Sequence, residues 1–193
     1  MDTPILGTLT LTPIDEETLA KRAQADRAAF AAVYDHFFRR VYNYVRYRVG
    51  EAEAADDLTA QIFEQVLRHL PKYRPHRGLF AAWLFRIARN AIYDYLRQQR
   101  RHPRLSLEAL EDQASNQLEP DQQVEERLHR AYLLNVIATL SEREQEIIAL
   151  KFGAGLTNRQ IADLLKLSQS NAGVILYRTL GKLRGLLHAE ENR

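Results

Sequence analysis

Cysteine is absent from the 193 residues. That excludes disulfides, thiolate metal centres and cysteine nucleophiles, and it fits a reducing compartment. Proline and glycine are scarce, at six and eight residues, and neither occurs between Pro13 and Gly50. Long intervals are therefore free of helix breakers. No apolar run reaches the roughly 20 residues that a membrane crossing needs, because Arg or Lys interrupts every candidate. The segment Met1–Asp15 carries Asp2 and no basic residue, unlike a secretory leader. These absences predict a soluble, cytoplasmic protein with no membrane insertion. Excess charge is lacking too: the formal net charge is +2, so only the placement of the charges can indicate a partner.

What the chain has in quantity is helical periodicity. Phe80, Trp83, Leu84, Ile87, Ala88, Ala91, Ile92 and Tyr95 recur at the three-and-four spacing of one helix face. Phe30, Val33, Tyr34, Phe37, Val41, Tyr44, Val45 and Val49 form a second stripe, and Leu58, Ile62, Val66 and Leu67 a third. The spacing predicts helices over roughly 16–49, 54–69 and 79–101, packed as one bundle. From Leu105 to Glu126 acids appear without any Lys or Arg, the pattern of a linker. The expected fold is all-α: a tail (1–14), a helical module (15–102), an acidic linker (103–126) and a second helical module (127–193).

Two helix starts in the second module are marked chemically. Ser141-Glu142-Arg143-Glu144 and Thr157-Asn158-Arg159-Gln160 both have the capping-box form. A helix ending near Phe152, a short helix to about Lys166, a tight turn and a third helix capped by Ser168 make a helix-turn-helix. An ordinary helical hairpin would carry the same caps.

In the first module the face away from the apolar stripe carries Arg86, Arg89, Asn90, Tyr93, Arg97 and Gln98, continuing into Arg100, Arg101 and Arg104, with Asp94 nearly the only acid. Arginines one turn apart can neutralise successive phosphates. A solvated face with extended arginine stems is the alternative. Ahead of this helix lies Tyr73-Arg74-Pro75-His76-Arg77-Gly78, whose rings and guanidinium planes suit unpaired bases. Trp83 lies on the apolar face and is expected in the core.

Taken together, Phe80-Ala81-Ala82-Trp83-Leu84-Phe85-Arg86-Ile87-Ala88-Arg89-Asn90 and Leu140-Ser141-Glu142-Arg143-Glu144-Gln145-Glu146 resemble bacterial sigma factors of the extracytoplasmic-function type, in the sigma-70 family. The resemblance extends through Phe30–Tyr34, Ala55–Leu58, Gly155–Ala162 and Lys182–Arg184, and covers about Leu19 to Leu187. It implies a transcription initiation factor with a sigma-2-like domain for the clamp helices of core RNA polymerase and the melted promoter element. It also implies a sigma-4-like domain for the polymerase flap and the upstream element, an inhibitory anti-sigma protein as a further partner class, and no cofactor. By motif, Asp57, Gln61, Glu64 and Leu67 fall on the polymerase-contacting helix. Tyr73, Arg74, His76, Arg77, Trp83, Arg86, Arg89, Asn90 and Arg97 fall on the melted-DNA surface. Arg159, Ser168, Gln169, Ser170, Asn171, Val174, Arg178 and Lys182 fall on the upstream-element surface.

Two places depart from the family pattern. Ala60 and Gln61 stand where Gln-Glu is common, which implies fewer charged contacts to the clamp. The recognition helix, Asn171 to Arg178, lacks the usual run of Lys and Arg. Gln169, Ser170 and Asn171 can still meet base edges, Val174 or Ile175 a thymine methyl, and Arg178 or Lys182 a phosphate. Burial of Val174 and Ile175 against another domain is the alternative. A helix-turn-helix regulator acting without polymerase would leave the first module unexplained. The six histidines show no metal-binding spacing and no phosphate-cradling glycine loop exists, so neither catalytic nor metal-ligating residues are expected. The linker leaves open whether the modules close on each other and mask their basic surfaces.

Overall fold

The computed structural model describes residues 15–101 and 121–191. Among them eight helices follow in order: α1 (Glu16–Ala25), α2 (Phe30–Val49), α3 (Ala52–His69), α4 (Phe80–Arg101), α5 (Asp121–Ala138), α6 (Glu142–Ile148), α7 (Asn158–Leu165) and α8 (Gln169–Glu191). No strand occurs among the described residues, and no described helix is long and apolar enough to cross a membrane.

The single helix expected over 16–49 is two helices. Asp26 ends α1 in an extended conformation, and its carboxylate accepts from the Ala28 amide to start a 3₁₀ turn. Capping by a short acid outweighs the continuity of the apolar stripe at that point. Gly50 stops α2 at φ 78°, a conformation that favours glycine. Leu70–Lys72, with Pro71 inside it, tightens the end of α3 into a 3₁₀ turn.

The core of the first module is aromatic. Phe37 lies 5.5 Å from Phe80 and Tyr44 5.6 Å from Phe85, both edge to face. Each ring is buried completely, and burial of a side chain of that size stabilises by about 1.5–3 kcal/mol. Trp83 is half-buried at the edge of this core rather than inside it, stacked on Phe80 at 5.4 Å.

In the second module both capping boxes form as the sequence indicates: the Glu144 amide donates to Ser141 and the Gln160 amide to Thr157. A π-turn, Ala149–Gly153, follows α6. Lys166 takes the left-handed conformation at φ 55°, and Ser168 Oγ accepts from the Asn171 amide 3.1 Å away, so a tight corner joins α7 to α8. α5 begins at Asp121, so positions 121–126 of the expected linker are helical; 103–120 lie outside the described residues.

The modules touch. The π-turn lies against α2 so closely that a Cβ on Gly153 would stand 2.8 Å from the backbone of Tyr44. Only glycine permits that approach.

Candidate nucleic-acid interface

The loop before α4 is built from within. The Gln24 side chain donates from α1 to the carbonyls of Leu70, at 2.8 Å, and Tyr73, at 3.0 Å. Tyr73 Oη donates to the Gly78 carbonyl, and Arg74 Nη1 donates to the Pro71 carbonyl at 2.7 Å. Gly78, at φ 141°, turns the chain into α4. These bonds shape a hollow of about 200 Å³ whose walls include Lys72, Arg74, Arg77, Trp83 and Arg86.

The expected residues do not all stand alike around that hollow. Arg74, His76, Arg77, Arg86 and Asn90 are exposed and Trp83 offers part of its ring. Tyr73 is 2% exposed, with its ring 5.1 Å from Phe80 and 5.3 Å from Trp83. It is a floor for the loop and not a free stacking platform. Burial, then the negative charges of Glu17 and Glu16, push its phenol up to about 12, so it remains a neutral donor at ordinary pH. Arg97 is exposed and paired with Asp94 at 2.8 Å.

Arg89 turns elsewhere. Its Nε lies 3.2 Å from Glu146 Oε1, on α6 of the second module. Glu146 is 2% exposed; Arg48 Nε approaches it at 3.1 Å and Tyr44 Oη donates to it at 2.8 Å. Burial first, and the Glu146 charge second, hold the Tyr44 phenol well above its usual value. The Arg89 guanidinium also lies 4.8 Å over the Tyr93 ring. Sequence reading missed this cluster. Its one local signal is Arg48, which falls on the same α2 stripe as Val41, Tyr44 and Val45.

On α8, Gln169, Ser170, Asn171, Val174 and Arg178 are exposed, as is Arg159 on α7. Ile175 is half-buried against the core, so of the two apolar candidates Val174 alone is free. Tyr177, three residues beyond Val174 on the same face, is 80% exposed and was not among the expected residues. Ser168 serves as the helix cap. Lys182 Nζ lies 3.1 Å from Glu144 Oε2, and the Glu144 carboxyl is held below its usual range by the Ser141 hydroxyl and amide before Lys182 adds to the effect.

On α3, Asp57 and Gln61 are exposed at an open hollow of about 440 Å³ shared with Tyr95 and Gln98. Glu64 is exposed and paired with Arg68, and Leu67 is half-buried. Among the described residues no group of three or more His, Cys, Asp or Glu is placed to hold a metal ion.

Family models match in two places: Sigma-70 region 2 over residues 33–102 and Sigma-70 region 4 over residues 136–185. The chain is similar to the ECF RNA polymerase sigma factor BldN of Streptomyces coelicolor, with 32% identity over 170 residues, covering 88% of this chain and 64% of that protein. It thus spans just under two thirds of that relative's length. It is also similar to the ECF RNA polymerase sigma factor RpoE of Cereibacter sphaeroides, with 31% identity over 145 residues, 74% of this chain and 77% of that one. Its fold is similar to that of CnrH, solved in complex with the cytosolic domain of CnrY: TM-score 0.68, 23% identity, 91% of this chain and 98% of that chain.

Proposed function

Since the chain belongs to the extracytoplasmic-function type of the sigma-70 family, we propose that it is a cytoplasmic transcription initiation factor. In this reading it acts by binding rather than catalysis. It joins core RNA polymerase, recognises promoter DNA with residues 127–193 and assists melting with residues 15–102.

The observation that carries this reading is the basic hollow at the start of α4, with Trp83 at its edge and Arg86 and Asn90 one turn apart on the exposed face beyond it. Unstacking a base costs a few kcal/mol, which a site can offset by stacking it again and hydrogen-bonding its edge. Trp83 and the guanidinium planes of Arg74 and Arg77 supply the stacking surfaces, and Asn90 supplies donor and acceptor. On α8, Gln169, Ser170 and Asn171 face base edges, Val174 meets a thymine methyl, and Arg159, Arg178 and Lys182 bind phosphate. Asp57, Gln61, Glu64 and Leu67 on α3 meet the polymerase clamp helices, and the second module meets the flap. An anti-sigma protein is a further partner: CnrH is seen with the cytosolic domain of CnrY. The furrow of about 150 Å³ between Tyr47, Leu133 and Phe152, with Asn43 and Arg46 on its wall, is a mixed apolar and polar seat for one.

Transcription in vitro by core polymerase on genomic fragments, with and without the chain, tests the reading. Defined start sites that need the chain are expected. Chemical probing of unpaired thymines should then show weaker opening in Arg86→Ala and Asn90→Ala. No chain-dependent transcript would discard the whole assignment, and undiminished opening in both variants would discard the site on α4.

A further inference from the structure

The residues ahead of α1 differ from the rest of the chain. Between Thr3 and Ile14 there is no charged residue, and five are aliphatic: Ile5, Leu6, Leu9, Leu11 and Ile14. Over the whole chain 27% of residues are charged. The stretch Thr8-Leu9-Thr10-Leu11-Thr12 alternates, which in an extended segment sets both leucines on one side and the threonines on the other. Pro13 favours an extended backbone at Thr12 before it.

An apolar furrow stands open near the point where this segment meets the bundle. Tyr42, Tyr47, Leu133, Leu134 and Phe152 line it together with Asn43 and Arg46, and no acid stands on its wall. Phe152 is 51% exposed, more than any other described large apolar residue except Tyr177. The close approach of the π-turn to α2 does not require that ring, because Gly153 makes it. Tyr42 stacks on Phe38 at 6.1 Å, and Phe38 is itself exposed, so the apolar surface continues along α2.

The segment joins α1 at the rim of this furrow. Glu16, the first residue of α1, pairs with Arg40 at 2.7 Å, and Arg40 donates at 2.8 Å to the carbonyl of Ala154, which closely follows Phe152. Along α2, Asn43 and Tyr47 lie about 5 and 10 Å beyond Arg40. From Asp15, an extended chain spans about 13 Å to Leu11 and about 20 Å to Leu9. Both leucines therefore reach the furrow, and the uncharged segment brings no charge into it. We propose that Leu9 and Leu11 dock there, so that the chain's own N-terminal segment covers this seat and an anti-sigma protein has to displace it. The displacement rests on the reading of the furrow as a partner seat; the docking does not.

The absence of cysteine makes the test direct. Thr8→Cys carries a nitroxide in the isotope-labelled full chain, and paramagnetic loss of backbone amide signals reports where the segment lies. Losses centred on Leu133, Leu134 and Phe152 are expected. Leu9→Asp with Leu11→Asp places two carboxylates where apolar contact is proposed, and should abolish the losses at those three residues while leaving those near Asp15. Covering nine tenths of a seat weakens a competing ligand about tenfold. The double variant should therefore bind the apolar dye anilinonaphthalene sulfonate about tenfold more tightly than the wild type, and Phe152→Glu, at an exposed position, should remove that gain.

The same broadening profile in the wild type and the double variant overturns the proposal, since a segment moving freely about its anchor gives that result. Broadening in a mixture of nitroxide-bearing chain and isotope-labelled chain without nitroxide makes the occupant a second copy, and overturns it too. Unchanged dye affinity in the double variant shows that the segment does not cover the seat. Each of these failures leaves chain-dependent transcription standing, whereas loss of that dependence would sink the functional reading and leave the docking measurable.

Discussion

The two modules solve the same problem with different means. The first builds its core from Phe37, Tyr44, Tyr73, Phe80 and Phe85 and sets an arginine-rich face outside it. The second has an aliphatic core of Ile147, Ile148, Leu156, Ile161 and Leu164, two helices of seven and eight residues started by capping boxes, and an exposed face of Gln169, Ser170, Asn171, Val174 and Tyr177 on α8. Large rings let one module keep its shape while it carries a face crowded with arginines. Short helices need their caps and a neighbour, since helices under about 12 residues are marginal in water by themselves. Affinity for the backbone should therefore come mainly from the first module, and discrimination between sequences from the second.

The most forceful challenge to this contrast is Phe85→Ala, which is expected to cost about 3–5 kcal/mol and to unfold the first module in a urea titration followed by tryptophan fluorescence. A cost below about 1 kcal/mol would mean that the aromatic core is not what sets this module apart. Thr157→Ala should cost about 1 kcal/mol, with hydrogen exchange speeding up at α7 amides and not at α3. Equal acceleration in both helices would show that the modules do not differ in how they are held.

For DNA binding by the holoenzyme, Arg86→Ala should lower the slope of log affinity against log salt by about 0.7 for each single-strand phosphate that is no longer neutralised. Val174→Ala should leave that slope alone and change only the preference for thymine over uracil in the upstream element. A swap of these two results would reverse the assignment of affinity and discrimination.

The smallest effect concerns pH. The folded Glu144 carboxyl lies below its usual value because it accepts from Ser141, so the stability it contributes is present above the ordinary carboxylate range. It is lost as pH falls from there through the lower folded value. Amide protection at the start of α6 should decline over that acid window in the wild type and stay flat in Ser141→Ala. A wild-type profile without that decline would remove the capping box as a source of α6 stability.

Much of this architecture is legible in the chain itself. Gly50, Pro71 and the Ser141 and Thr157 boxes mark helix ends by local chemistry, and local chemistry is what a sequence displays. The split at Asp26 is hidden because the apolar stripe runs on through it. Tyr73 reads as a loop aromatic ready to stack, and contacts that sequence does not display, Gln24 reaching across from α1 and the Phe80 ring, place it beneath the loop. Arg89 reads as one more exposed arginine on a basic face. Its partner lies on another module, and such a pairing has no signature at helical spacing. On α8 the Val174–Tyr177 step is readable from the three-residue interval, but the helix is more conspicuous for the charges it lacks.

The bond between Tyr44 and Glu146 joins positions 102 residues apart in the chain. Contacts so distant form after local ones, and domains fold as they leave the ribosome, N-terminal first. The aromatic bundle is thus complete, with Arg48 and Arg89 uncovered, before the residues that cover them have been synthesised. During that interval the nascent chain presents Arg48 and Arg89 with nothing of its own to close over them.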